Sequence, residues 1–438
     1  MKKEIIIRDY ENAIVDKNMV LIIEDILNRY YMNIENLNNF YSMRDIIPIM
    51  HIFAETYEYI VDKNKWDKII LHYMKLIREQ IILQGYNNRL SLFDGMAEIG
   101  LVVYRLNQKT GYYASFLESI NKYILLKLPE LIEIKSKNID NLKIKDFDCI
   151  EGISGIVSYL LNFEQIKENK VITDCISYLI KVGSYKNLDG YEIPAWHIKV
   201  ENIVKEEERK RFPQGYFNFS LSHGIAGVLV ALSLALTKEI ELPGQRDCIN
   251  KILLEFKKSV VVENEIVYWH GQCSYKNYIA SEKDNRGLLK RMSWCYGSLG
   301  ILRAMKIGTN AVSDEQNKRW IEKEVQSISK MDTKDYGFTS PILCHGYAGL
   351  LILLVAELRE TSAPCIKKKI LEVIDLILES FQDDKIYMFK MLDYQLINGK
   401  INLVPIYSNS LLEGTTGIIL SLLSVIKETK WEAQLLIK

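Results

Sequence analysis

Three short stretches gather residues that can do chemistry: Ser293-Trp294-Cys295-Tyr296-Gly297, Cys344-His345-Gly346 and Ser222-His223-Gly224. Cys344 and His345 are adjacent zinc-ligand types. Neighbours within a regular helix or strand rarely aim at one point, so this pair belongs at a turn, and the following Gly346 fits. Cys295 stands two residues before Gly297, as Cys344 stands two before Gly346. Two thiolates and one imidazole suit zinc. Three protein ligands leave a fourth position open, the pattern of a catalytic rather than a structural zinc. That position suits a substrate thiol, whose pKa the metal lowers so that thiolate forms at neutral pH. The negative charge of two protein thiolates helps the incoming sulfur stay nucleophilic.

His223 fills the slot before its glycine that His345 fills elsewhere. A histidine titrating near neutrality there can take a thiol proton or return one to a carbanion. Asp148, four residues before Gly152, is placed to orient it. Arg291, four residues before Cys295, can steady an enolate oxygen or hold Asp148. For both, a structural ion pair is the competing reading. Tyr296 donates a proton or packs, and Trp294 shapes the wall. His51, His72, His197 and His270 lie outside these slots and read as structural. Pro194-Ala195-Trp196-His197 offers a lining for a peptide groove. Cys175, Cys248 and Cys365 sit in helical patterns and read as inert buried thiols.

The elements that must position these residues form a repeat. Its copies are Asp94-Gly95-Met96-Ala97-Glu98, Glu151-Gly152-Ile153-Ser154-Gly155, His223-Gly224-Ile225-Ala226-Gly227, Tyr296-Gly297-Ser298-Leu299-Gly300, His345-Gly346-Tyr347-Ala348-Gly349 and Glu413-Gly414-Thr415-Thr416-Gly417. The first is degenerate, with Glu98 in place of the second glycine, a departure expected to affect packing only. Residues 156–161, 228–236, 350–356 and 418–426 are apolar nearly all round and read as fully buried helices. Between them 171–182, 247–258, 317–330 and 366–381 read as amphipathic helices. Buried and half-exposed helices alternate, which predicts an all-α fold: an inner ring of helices wrapped by an outer ring, an α/α toroid. Parallel inner helices would bring Asp148, His223, Arg291, Cys295, Cys344 and His345 to one end. Residues 19–31, 43–62 and 65–83 also read as helices, so 1–85 is an N-terminal helical segment beside or within the toroid of 86–438. Short extended pieces are expected at 261–269, 385–389 and 401–406, and a solvated loop or helix end at 205–211.

The 438 residues carry 56 acidic and 56 basic side chains, and no basic block suggests nucleic acid. The N-terminus, Met1 to Asp9, is too charged for a signal peptide. The uncharged stretches 212–237 and 336–356 are interrupted by Pro213, His223, Pro341 and His345 and are not spans. A cytoplasmic protein is expected, its seven cysteines, an odd number, held as thiols.

Taken in order, Asp148-Cys149-Ile150-Glu151-Gly152, Ser222-His223-Gly224-Ile225-Ala226-Gly227, Arg291 with Trp294-Cys295-Tyr296-Gly297, Cys344-His345-Gly346-Tyr347-Ala348-Gly349 and Leu412-Glu413-Gly414 resemble the lanthionine synthetase C family, the stand-alone lantibiotic cyclases. The resemblance implies a toroid of about seven helical hairpins, although six glycine copies are visible. It implies one zinc ion on Cys295, Cys344 and His345, and an acid/base group of His223, Asp148, Arg291 and Tyr296. The implied reaction is intramolecular Michael addition of a cysteine thiolate to dehydroalanine or dehydrobutyrine in a dehydrated precursor peptide, giving lanthionine or methyllanthionine. The implied partners are a dehydratase and an ABC exporter at the inner membrane face. Two alternatives share the motifs: a related protein that binds or adds glutathione, and a non-catalytic zinc scaffold of a biosynthetic complex.

Overall fold

In the computed structural model, which describes residues 3–8, 10–36, 42–84, 89–280, 288, 290–397 and 400–438, the glycine repeat proves to be a way of starting helices. Of the charged N-terminus, Met1, Lys2 and Asp9 lie outside the described residues. Gly152, Gly224, Gly297, Gly346 and Gly414 are the N-caps of helices Ile153–Leu160, Ile225–Thr237, Ser298–Val312, Tyr347–Thr361 and Thr415–Leu423. All five caps are extended, so a left-handed backbone is not what calls for glycine. Space is. A Cβ at Gly297 would stand 2.5 Å from the Ser293 carbonyl oxygen and 2.7 Å from that of Arg291. A Cβ at Gly300 would collide with the Trp294 carbonyl. The loop before each helix folds down onto the helix's first turn, and only a bare Cα fits beneath it.

The chain divides into two compact units, one of residues 1–88, 99–117 and 332–432, the other of 89–98, 118–331 and 433–438. In the second, the buried helices Ile153–Leu160, Ile225–Thr237 and Ser298–Val312 pack side by side. Lys170–Val182, Gln245–Ser259 and Glu315–Ile328 pack against them by one face, for example through Val171, Cys175, Ile176 and Leu179. In the first unit Tyr347–Thr361, Thr415–Leu423 and Met43–Thr56 pack together, flanked by Lys17–Asn36, Lys63–Gln84 and Pro364–Leu378. The fold is predominantly helical, with the alternation an α/α toroid requires. Met43–Thr56 is a buried helix with no glycine motif, so the motif alone does not reveal it. Among the described residues no helix is long and apolar enough to cross a membrane.

Among the described residues the strands form short antiparallel pairs. Val261–Glu263 pairs with Ile266–Tyr268 across Asn264 and Glu265, both at positive φ (50° and 65°), as a two-residue hairpin needs. Tyr185–Leu188 pairs with Tyr191–Pro194 across Asp189-Gly190 in the same way. Lys400–Ile406 is a strand as expected, and its partner is Met391–Ile397. Residues 385–389 are not a strand. Main-chain bonds from Gln382 to Met388 and from Lys390 to Ser380 close them into a loop with one bridge, Phe381 to Phe389. Residues 206–211 form a short helix.

Glu98 does more than pack. Its carboxylate accepts from the Asp94 amide at 2.8 Å and from Gln434 Nε2 at 3.1 Å, and Gln434 Nε2 also donates to the Leu92 carbonyl. The carboxylate therefore ties the degenerate loop to the C-terminal residues. Burial raises its pKa from 4.5 to about 7, against the lowering effect of these hydrogen bonds. Because the folded value is the higher, stability from protonated Glu98 is complete below about pH 4.5 and is lost as pH rises through 7. Relative to Glu98→Gln, the wild type is expected to lose up to roughly 3 kcal/mol between pH 4.5 and 8. Thermal melts of both proteins at pH 5 and pH 8 check this; parallel shifts in the two proteins would refute it.

Candidate functional site

The residue four places before the first glycine of a repeat builds the local turn. In three copies its side-chain oxygen accepts the amide of the residue just before the glycine. Ser220 Oγ takes His223 N at 3.1 Å, Ser410 Oγ takes Glu413 N at 3.2 Å, and Asp148 Oδ1 takes Glu151 N at 2.8 Å. Asp148 Oδ1 also receives the Gly152 amide at 2.7 Å, at the positive end of helix Ile153–Leu160. A serine has no further oxygen to offer, but the aspartate does. Asp148 Oδ2 lies 2.7 Å from His223 Nδ1.

This pair holds the histidine in one tautomer. A carboxylate partner puts the proton on Nδ1 and leaves Nε2 for a substrate. Asp148 is 1% exposed and the His223 side chain 38%, so one end is fixed in the protein and the other meets solvent. Burial alone would lower the His223 pKa. The hydrogen bond and charge of Asp148, helped by Cys295 and Glu151, outweigh it and raise the value. Tyr296 lies beside His223, with ring centroids 6.2 Å apart, and its hydroxyl accepts from Asn218 Nδ2 at 3.1 Å. Burial pushes its pKa up to about 12, so it stays a neutral phenol.

Main-chain bonds join successive loops of the second unit. Phe93 N donates to Ile150 O (3.2 Å), Cys149 N to Ser222 O (3.3 Å) and Leu221 N to Cys295 O (3.1 Å). Asp148, His223, Tyr296 and Cys295 are therefore carried on loops that are stitched together. Arg291 lies in the same unit, where its carbonyl accepts the Ser298 amide; its Nε is buried without a hydrogen-bond partner. It is not among the hydrogen-bond partners of Asp148.

In the first unit Cys344 and His345, both half-buried, precede the N-cap of Tyr347–Thr361, and Cys344 N donates to Leu412 O at 2.8 Å. Cys295 is buried and holds the matching place before Ser298–Val312, its Sγ 3.8 Å from Ser293 Oγ. Cys295, Cys344 and His345 are a candidate Cys-Cys-His metal-binding group. The donor set, two sulfurs and one imidazole, fits zinc.

Other sequence candidates fall away from the chemistry. Trp294 is fully buried and donates to Leu435 O at 2.9 Å. Ala195, Trp196 and His197 are buried rather than groove-lining; His197 bonds Gln214 O, and burial lowers its pKa to about 4. His51 is core, 2.9 Å from Nη1 of Arg105, whose Nη2 pairs with Glu55. Cys175 and Cys248 are buried, and burial raises both thiols, Cys248 to about 12; Cys365 is half-buried. Asn218 and Ser220, which hold Tyr296 and His223, escaped the sequence reading. The serine had a signal: position −4 reads Ser91, Asp148, Ser220, Ser293, Ile342 and Ser410.

Residues 49–436 match the family described as Lanthionine synthetase C-like protein. The nisin biosynthesis protein NisC of Lactococcus lactis subsp. lactis is 29% identical over 298 residues, covering 66% of this chain and 67% of that protein. A solved structure titled Nisin cyclase superposes with a TM-score of 0.78 at 24% identity, over 96% of this chain and 98% of the other, and shows the same fold. The chain belongs to the lanthionine synthetase C-like family and is an enzyme of its cyclase type.

Proposed function

We propose that the protein closes thioether rings in a dehydrated precursor peptide, adding a cysteine thiol to dehydroalanine or dehydrobutyrine to give lanthionine or methyllanthionine. The observation that carries this reading is the His223–Asp148 pair, one ring nitrogen anchored and the other free, in a LanC-like chain whose same unit holds Cys295. Cys295, Cys344 and His345 would hold one zinc. Bound there, it supplies a Lewis acid that lowers the pKa of a substrate thiol.

The chain's own residues account for the proton. Addition removes the thiol proton, joins sulfur to Cβ, and leaves a carbanion at Cα that must be protonated. His223 Nε2 takes the proton and returns it to Cα, while Asp148 stabilises the charged imidazole between the two events. Tyr296, a neutral donor beside it, is the alternative source of the final proton. Arg291 is assigned to the enolate oxygen that develops as sulfur attacks, which gives its unpartnered Nε a ligand. In this reading a separate dehydratase makes the dehydro residues from serine and threonine, and an exporter at the inner membrane face removes the product.

Metal analysis of the purified chain is expected to give about one zinc, lost in Cys295→Ala and Cys344→Ala and kept in His223→Ala. Zinc retained in both cysteine variants would remove the assigned site. His223→Ala is expected to slow ring closure at least about 100-fold, followed as loss of alkylatable thiol in a dehydrated peptide. An unchanged rate would end its acid/base assignment.

Asp148 separates orientation from folding. In Asp148→Asn the amide oxygen can still cap the turn, but its NH₂ faces Nδ1 and forces the proton onto Nε2. The variant should melt like the wild type, keep its zinc, and lose ring closure by about tenfold or more. Asp148→Ala, which also loses the turn cap, should be destabilised by about 1–2 kcal/mol. Normal activity in the asparagine variant would show that the carboxylate serves the turn alone.

A further inference from the structure

We propose that a basic groove along the strand Gln272–Ser274 takes an acidic, extended segment of the peptide substrate. The identity of the peptide rests on the cyclase reading above; the groove itself rests on the following geometry.

Gln272–Ser274 pairs with Tyr216–Asn218 in antiparallel register, Phe217 opposite Cys273. Flanking bonds run from Phe219 N to Gly271 O (2.9 Å) and from Tyr275 N to Gly215 O (3.1 Å). Hydrogen-bonded and non-bonded pairs alternate in such a ladder. The amides of Gln272 and Ser274 therefore point away from the partner strand. The far side of Tyr216 is already taken by Ile198, through bonds of 2.9 and 3.0 Å. Gln272–Ser274 is thus the outer edge of this small sheet.

A cavity of about 420 Å³ lies against that edge. Among the described residues its charged lining is Lys210, Arg211 and Lys276, with no carboxylate. All three are exposed. Among the described residues neither lysine has an ion-pair partner, while Arg211 rests 5.0 Å over the Phe212 ring. In a chain with equal numbers of acids and bases, three cations lining one cavity are a local feature. The acids Glu206, Glu207 and Glu208 lie one turn before Lys210 and Arg211 on the short helix Glu206–Arg211 and are not among the residues that line the cavity. A second cavity, of about 530 Å³, is lined by Glu192, Glu255 and Lys258, with Lys258 bonded to Glu255 at 2.8 Å. It offers no comparable field.

The groove leads to the acid/base residues. A Cβ on Gly271 would stand 2.5 Å from Tyr296 Cδ1, so the strand begins on the Tyr296 ring. Asn218, at the end of the partner strand, donates to the Tyr296 hydroxyl. A chain added along Gln272–Ser274 covers three residues of edge, about 10 Å when extended, with Lys276 just beyond it on the helix Tyr275–Ile279. It would hold carboxylates among Lys210, Arg211 and Lys276 and deliver the following residues to His223 and Tyr296. Strand addition supplies main-chain hydrogen bonds whatever the sequence, and the charges supply selectivity.

The test is binding of a fluorescein-labelled peptide, ten residues long with alternating glutamates, to the full-length wild type and to K210E/R211E/K276E, read by anisotropy. The peptide contains neither thiol nor dehydro residue, so the result stands apart from ring closure. The expected outcome is at least tenfold weaker binding to the variant, binding to the wild type that weakens from 0.05 to about 0.5 M salt, and no binding of the lysine counterpart peptide. N-methylation at alternate peptide amides should also cost tenfold or more. Equal binding to both proteins, or tight binding of the lysine peptide, would overturn the groove; indifference to N-methylation would overturn strand addition. Failure to cyclise any dehydrated peptide would overturn the cyclase reading and leave this result untouched.

Discussion

The glycine that starts each buried helix has no room for a side chain, and the site depends on that constraint. Because Gly152, Gly224 and Gly297 are bare, the loop before each lies on the helix's first turn. Held there, the loops reach each other through main-chain bonds, Cys149 to Ser222 and Leu221 to Cys295. Each such bond contributes only about 1 kcal/mol net. Their importance is geometric: Asp148, His223 and Cys295 come from distant parts of the chain, yet none can move without pulling the next loop. Proton transfer needs hydrogen-bond distances, and a rigid frame provides them.

The Asp148–His223 pair is a structural device put to a second use. Where other copies cap their turn with serine, the second copy does so with Asp148. One carboxylate oxygen remains with the backbone and the helix N-terminus, and the other meets His223. The turn thus pre-orients the acceptor of the Nδ1 proton before substrate arrives. The same economy appears at Glu98, where a carboxylate replaces the second glycine and fastens the loop to Gln434.

What the sequence makes legible follows from how local each signal is. Ile225–Thr237 is apolar on all sides, and a buried helix was readable at 228–236. The helix begins earlier than that apolar run, directly after Gly224. The repeat slots brought out His223, Cys295, Cys344 and His345 together. Asp189-Gly190 is a hairpin signal legible in the sequence itself. The pairing of Tyr216–Asn218 with Gln272–Ser274 was not readable, since three-residue strands so far apart carry no periodicity of their own. Met43–Thr56 was visible as a helix but not as an inner one, because it lacks the glycine motif. Residues 385–389 look extended by composition and form a loop because their ends are bonded to each other.

The remaining question is why chemistry appears in some copies and not in others. The two positions before the first glycine read Phe93-Asp94, Ile150-Glu151, Ser222-His223, Cys295-Tyr296, Cys344-His345 and Leu412-Glu413. At these positions the bonds between loops use main-chain groups, as at Ile150, Ser222, Cys295 and Leu412. The turn cap comes from position −4, and the close approach from the glycine. The side chains at −2 and −1 are therefore not needed to hold the loop. They can be exchanged without dismantling the frame, and this is where thiols, imidazoles and a phenol stand in the third to fifth copies. The frame fixes direction and spacing, and the variable slots decide what is presented.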